Sequence, residues 1–236
     1  MARTCSINRR PGPIGRAVSA QAARPRGLVG WALGRLWVHE TATVNDRAIA
    51  LLDPSPGDAV LEVGCGPGRT VAEMARRGAQ VRGLDPSPVM IAEARRRNRA
   101  ALASGQVQLL TGYAESLPVP DESLDAVLAV HTIYFWPDLR AGLREIGRAL
   151  VPGGRIVIAI RPAERGLPRR LDPSVYKVPT TDQLIDALQA AGFVNTFVHD
   201  VSPAVVVVAR APDHVEPQLD AHRVARADSA GDVSAH

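Results

Sequence analysis

From residue 59 onward, the apolar positions of this chain alternate between two rhythms. Short runs such as Ala59-Val60-Leu61 and Leu124–Val130 are almost continuously apolar, which predicts strands buried on both faces. Between them, apolar residues recur every three or four positions, the period of a helix with one buried face. The pattern predicts strand Val60–Val63, helix Thr70–Arg77, strand Gln80–Leu84, a helix from Pro88 to about Ala103, and strands Val107–Leu110 and Leu124–Val130. Helix Leu139–Leu150, strand Arg155–Ile160, helix Thr181–Ala191 and strands Val194–Asp200 and Ala204–Ala209 follow. Ser87 ahead of Pro88 is helix-start chemistry: a side-chain oxygen for the first free N–H groups, then a residue that lacks one. Gly192 serves as a helix C-cap. No helical pattern separates the last two strands, so they are expected to pair antiparallel. Strands alternating with helices predict an α/β fold, a doubly wound, Rossmann-like, mostly parallel sheet with helices on both faces and an antiparallel last strand.

The ends read differently. Residues 28–52 carry Trp31, Leu33, Leu36, Trp37, Val44, Ile49 and Leu51 at helical spacing and are expected to form an N-terminal helical cap on a domain spanning 28–210. Residues 1–27 and 211–236 are aperiodic and are expected to be a disordered basic arm and a disordered tail. The chain's net charge of +4 comes from that arm. Residues 1–27 hold six arginines and no acid, which leaves 22 basic against 24 acidic residues in the remainder. The folded part is therefore no basic nucleic-acid platform, and no nucleic-acid partner is expected. No apolar run approaches the ~20 residues of a membrane span. Two cysteines, Cys5 and Cys65, make no disulfide framework, and the start lacks an apolar signal core; both fit a cytoplasmic protein. Monomer and homodimer both stay open.

The chemistry concentrates where the first strand ends, in Glu62-Val63-Gly64-Cys65-Gly66-Pro67-Gly68. Glycines between a strand and a helix let the backbone approach a ligand without a Cβ in the way. The dinucleotide fingerprint spaces its glycines G-x-G-x-x-G. Here the third comes one residue early, and Arg69 stands where that fingerprint wants glycine. Asp85 closes the second strand, 23 residues after Glu62, where nucleotide-binding folds place an acid on ribose hydroxyls.

The pattern E-x-G-x-G-x-G resembles the first motif of class I S-adenosylmethionine-dependent methyltransferases of small-molecule type, similar to the ubiquinone/menaquinone methyltransferase-like group. The resemblance spans 28–210 and is strongest over 59–90 and 107–160. It implies the seven-stranded version of the fold and S-adenosylmethionine as cofactor. Glu62 would meet the cofactor's amino end, Gly64, Cys65, Gly66 and Gly68 its methionine part, and Asp85 both ribose hydroxyls. Asp85-Pro86-Ser87-Pro88-Val89-Met90 matches the family's D-x-S-x-x-M, which places Pro86 and Met90 against adenine. Gly112-Tyr113-Ala114-Glu115-Ser116-Leu117-Pro118 matches G-D-A-E-x-L-P, but Tyr113 replaces the aspartate that faces the adenine amino group. Tyr113, Ala114 and Glu115 are the adenine-side candidates. Leu150-Val151-Pro152-Gly153-Gly154-Arg155 resembles the family's structural L-K-P-G-G-R turn.

Methyl transfer is an in-line displacement at an activated carbon, so the protein's task is orientation, and a base is needed only if the nucleophile starts protonated. His131, at the end of the fourth strand, and His39, in the N-terminal helix, are the general-base candidates, and His131 also lines the cofactor side. The acceptor region comprises the helix Trp31–Asn45, the loop His131–Asp138 with Tyr134, Phe135 and Trp136, and the insert Arg161–Pro179. That insert holds Arg161, Arg165, Arg169, Arg170 and Tyr176 and is too short to recognise a macromolecule, so a small-molecule methyl acceptor is expected. No Asn-Pro-Pro-Tyr follows the fourth strand, which disfavours amino methylation of bases or glutamine, and no Cys/His spacing suggests a metal. Two other readings stand beside this one: a non-catalytic cofactor-binding scaffold and an NAD-dependent oxidoreductase.

Overall fold

The computed structural model describes residues 12–23, 25, 27, 41–168 and 171–213. Within them, seven strands form one sheet in the order β3-β2-β1-β4-β5-β7-β6. These are β1 (Ala59–Val63), β2 (Gln80–Asp85), β3 (Val107–Thr111), β4 (Leu124–Val130), β5 (Leu150–Ile160), β6 (Val194–Val201) and β7 (Ala204–Arg210). Strands β1 to β5 run parallel, and β7 lies antiparallel to both β5 and β6. The helices are α1 (Pro13–Ala23), α2 (Ala42–Leu52), α3 (Arg69–Arg76), α4 (Pro88–Arg97), α5 (Arg99–Ala103), α6 (Leu139–Ala149) and α7 (Thr181–Ala190).

Each face of the sheet carries its own apolar layer. Leu61, Leu84, Val127 and Ile158 pack with Leu143 and Ile146 of α6 and Leu184 and Leu188 of α7. Val60, Val81, Leu128 and Val157 pack with Ile49 and Leu52 of α2, Met74 of α3 and Ile91 of α4. A fully buried Leu or Ile contributes roughly 1.5–3 kcal/mol over an exposed one, so these layers hold the helices onto the sheet. Because β1 sits between β2 and β4, the chain leaves its carboxyl end in one direction for α3 while β4 begins the other half of the sheet. A crevice at such a reversal is where open α/β sheets bind ligands.

Three local departures from the sequence pattern have identifiable causes. The helix expected from Pro88 to Ala103 breaks at Asn98, whose buried side-chain amide donates to the carbonyls of Ala94 (2.9 Å) and Gly68 (3.0 Å). The α6 helix stops at Ala149, because Leu150 is extended and pairs with Leu124, so β5 begins before the Pro152-Gly153-Gly154 turn rather than after it. Pairing resumes at Arg155 opposite Ala126 with a register shift.

Residues 13–23, expected within a disordered arm, instead form α1, where Ser19 is buried and its Oγ accepts a hydrogen bond from the Asp172 N–H at 2.7 Å. The nearby Pro25 carbonyl accepts from Ser87 Oγ at 2.9 Å. Residues 28–40 of the expected cap, with His39, lie outside the described residues, as do Arg169, Arg170 and the tail from 214. Among the described residues, no helix is long and apolar enough to cross a membrane.

Candidate active site

A cleft of about 460 Å³ opens over the carboxyl ends of β1, β2 and β4. One end is built by the glycine loop. Gly64, Gly66 and Gly68 all adopt positive φ (77°, 51° and 73°), a region that L side chains rarely enter. Their surroundings differ. A Cβ on Gly64 would lie 2.2 Å from Thr132 Oγ1, so this glycine lets the loop pass the β4 exit. A Cβ on Gly68 would meet Asn98 at 2.7 Å and Ala94 at 2.8 Å. Gly68 thus seats α3 against α4 and does not line the cleft, contrary to its expected place among the cofactor contacts. A Cβ on Gly66 would meet nothing within 4 Å, and Gly66 borders the cleft.

The two acids stand on either side of this loop. The Asp85 carboxylate is tied down by backbone donors: Oδ2 accepts from the Gly66 N–H at 2.9 Å and Oδ1 from the Ser87 N–H at 2.8 Å. Burial pushes its pKa up to about 6, against the pull of those two N–H groups. Glu62 is buried beside it. The Thr70 hydroxyl donates to Glu62 Oε1, while Oε2 has no hydrogen-bond partner among the described residues. Burial, and secondarily the Asp85 charge, push the Glu62 pKa up to about 8. An unpartnered buried carboxylate oxygen on a cleft wall calls for a cationic donor. That demand, the space in front of Gly66 and the lone pairs left on Asp85 fit the ammonium, backbone and ribose of S-adenosylmethionine. Cys65 borders the cleft but is buried, and burial pushes its thiol pKa well up.

The adenine-side candidates also line this end. Pro86 is exposed and Met90 buried; Tyr113 is half exposed and Ala114 buried. Glu115 borders the cleft, but its Oε1 accepts from the Asp138 N–H at 3.2 Å, at the start of α6. Its carboxylate is therefore engaged in holding the 131–138 loop against the β3 exit.

The other end is aromatic. His131 leaves β4 with φ of 54°, and its Nδ1 lies 3.2 Å from the Tyr134 hydroxyl. That hydroxyl accepts from the Arg161 N–H at 2.5 Å. Burial, assisted by the Arg161 charge, lowers the His131 pKa to about 4, so the imidazole is neutral at physiological pH. Phe135 and Tyr176 lie with ring centroids 5.0 Å apart, and Tyr134 packs against both. Leu167, Pro168 and Leu171 of the insert complete the wall. Ala22, Pro25, Thr41, Val44 and Asn45 also line the cleft, as a roof from the N-terminal side. Thr70 and the α1 roof were not among the sequence candidates, and Thr132 was included only as part of the 131–138 loop. Thr132 follows His131 directly, but only the fold reveals that it faces Gly64.

Comparison with known proteins agrees with this geometry. Residues 61–158 match a family model described as a methyltransferase domain. Over 183 residues the chain is 33% identical to the uncharacterised methyltransferase YdaC of Bacillus subtilis, covering 75% of this chain and 96% of that protein. It is 33% identical over 153 residues to an O-methyltransferase of Pyrenophora dematioidea, covering 60% of this chain and 56% of the relative. The chain thus spans nearly the whole of one relative and about half of the other. Among solved structures, a SAM-dependent methyltransferase of Thermotoga maritima superposes with a TM-score of 0.63 at 26% identity, covering 78% of this chain and 96% of that one.

Proposed function

We propose, for a chain that belongs to the S-adenosylmethionine-dependent methyltransferases, that the glycine-loop end of the cleft holds the cofactor and the aromatic end holds a small-molecule acceptor. The observation that carries this division is chemical. The unpartnered Glu62 Oε2, the bare face of Gly66 and the Asp85 carboxylate share one end of a single cleft, and the neutral His131 with its aromatic neighbours forms the other. S-adenosylmethionine supplies, when bound, a methyl carbon activated by its sulfonium sulfur.

The residues of the chain do the rest. Glu62 receives the cofactor's ammonium, Asp85 the ribose hydroxyls, and Pro86, Met90, Tyr113 and Ala114 border the adenine. Phe135, Trp136 and Tyr176 exclude water and fix the acceptor's plane. Holding a nucleophile in line with the methyl can supply roughly 7–11 kcal/mol of the barrier lowering. His131 is a neutral acceptor of a hydrogen bond from the nucleophile and a relay for its proton, not a strong base, because burial makes its cationic form costly. The oxidoreductase and scaffold readings find no support in these relatives.

Calorimetric titration with S-adenosylmethionine, S-adenosylhomocysteine and NADH tests the reading. Binding of the two adenosyl-sulfur ligands alone is expected. Binding of NADH alone would overturn the cofactor assignment. An acceptor screen scored by S-adenosylhomocysteine release then addresses turnover.

A further inference from the structure

Arg161 gives the aromatic end of the cleft a definite preference. It follows Ile160, the last residue of β5, and its backbone N–H and carbonyl both face the Tyr134 hydroxyl. Its side chain is held in place by carbonyls alone: Nε donates to Gly166 O at 2.6 Å and Nη2 to Arg165 O at 3.2 Å. Among the described residues, no carboxylate pairs with it; the nearby Asp200 is taken by Arg165 at 2.6 Å. Arg161 lines the same cleft as His131 and Tyr134, and its positive charge adds to the lowering of the His131 pKa. A cation fixed by neutral partners on the wall of a largely apolar cleft is a ready site for an anion. The acids that line the cleft, Glu62, Asp85 and Glu115, belong to its other end, so the titratable groups facing this site are His131, Tyr134 and Tyr176.

Resting on the two-ended cleft proposed above, we infer that the acceptor is a flat aromatic molecule bearing an acidic hydroxyl, whose ionised oxygen Arg161 holds beside His131 against the rings of Phe135 and Tyr176. The rings select the shape, because aromatic faces and edges gain beyond area burial when they meet another ring. Arg161 selects the acidity. His131 is held neutral and is too weak a base to strip an aliphatic alcohol, so the acceptor must ionise readily with the help of a nearby positive charge. As the O–CH3 bond forms, the C–S bond breaks with its electron pair left on sulfur. The hydroxyl proton has by then passed through His131 to solvent.

A coloured probe tests this without turnover. 4-Nitrophenol absorbs differently when ionised, so its titration can be followed on protein saturated with S-adenosylhomocysteine. Beside Arg161 its ionisation midpoint is expected to fall by about one pH unit relative to free probe, a tenfold preference for the anion. The shift should persist in Arg161→Lys and vanish in Arg161→Gln. S-adenosylhomocysteine affinity, unchanged in both variants, would confirm that each is folded. A midpoint that stays put or rises, a shift that survives Arg161→Gln, or failure of the probe to bind the loaded protein would overturn the inference while leaving the cofactor site intact. Failure of S-adenosylhomocysteine itself to bind the parent would instead overturn the two-ended reading on which the inference stands.

Discussion

The backbone N–H of Gly66 donates to Asp85 Oδ2 at 2.9 Å, joining the loop after β1 to the end of β2. One carboxylate thereby serves two purposes. It fixes the glycine loop, and through Oδ1 and the Ser87 N–H it fixes the start of α4. Asp85→Ala is expected to weaken S-adenosylhomocysteine binding at least tenfold. Each hydrogen bond lost to a ligand hydroxyl costs ~0.5–1.5 kcal/mol, and the loop loses its tether as well. Calorimetric titration checks this; affinity equal to the parent's would remove Asp85 from the site.

The glycines of one loop should fail in different ways. Gly64→Ala drives a Cβ into Thr132 and places alanine at positive φ. It should lower thermal stability by about 1–3 kcal/mol. Gly66→Val also meets the φ penalty, but its side chain enters open space in the cleft. It should fold and yet lose cofactor binding. Thermal melts with and without S-adenosylhomocysteine separate the two, and a Gly66→Val protein stabilised by ligand like the parent would contradict the assignment.

Glu62 links folding to pH. Its carboxyl has an ordinary value of 4.5 and is raised by burial to about 8, so between those values the folded chain holds a proton that the unfolded chain releases. Stability contributed by that proton is present below about 4.5 and is lost as pH rises toward 8. Asp85, raised from 3.8 to about 6, acts with the same sign over its narrower window. The ligand-free protein should therefore melt at progressively lower temperature from pH 5 to pH 8, with a flatter profile in Glu62→Gln. An ammonium bound at Glu62 favours the ionised carboxyl, so S-adenosylhomocysteine binding near pH 7 should release a proton. Binding enthalpies measured in two buffers of different ionisation heat would differ; identical enthalpies would contradict it.

One hydrogen bond between distant parts of the chain helps to hold the roof over the cleft. Ser19 Oγ accepts from the Asp172 N–H, which joins α1 to the insert that walls the acceptor end. Ser19→Ala should loosen α1 by about 0.5–1.5 kcal/mol. Faster proteolysis within residues 13–23 would report it, and protection by S-adenosylhomocysteine should shrink. An unchanged cleavage rate would mean that α1 is held by other contacts.

The sequence by itself determined the strand order of types, the glycine loop, the Ser87 helix start and the place of Asp85. These are written in neighbouring residues, because backbone dihedrals, capping and apolar period are local properties. Tertiary structure alone decided which glycine does what, since Gly64, Gly66 and Gly68 look alike until Thr132, open space and Asn98 are set opposite them. It also set the boundary at Leu150, where pairing with Leu124 outweighs a helical pattern. Residues 13–23 carry too weak a local signal to announce α1, and the Asp172 N–H that donates to Ser19 lies 153 residues away. The same holds for the acceptor end. Tyr134 and Arg161 are 27 residues apart in the chain, and only the parallel pairing of β4 with β5 brings the amide of one onto the hydroxyl of the other, beside a histidine kept neutral by burial.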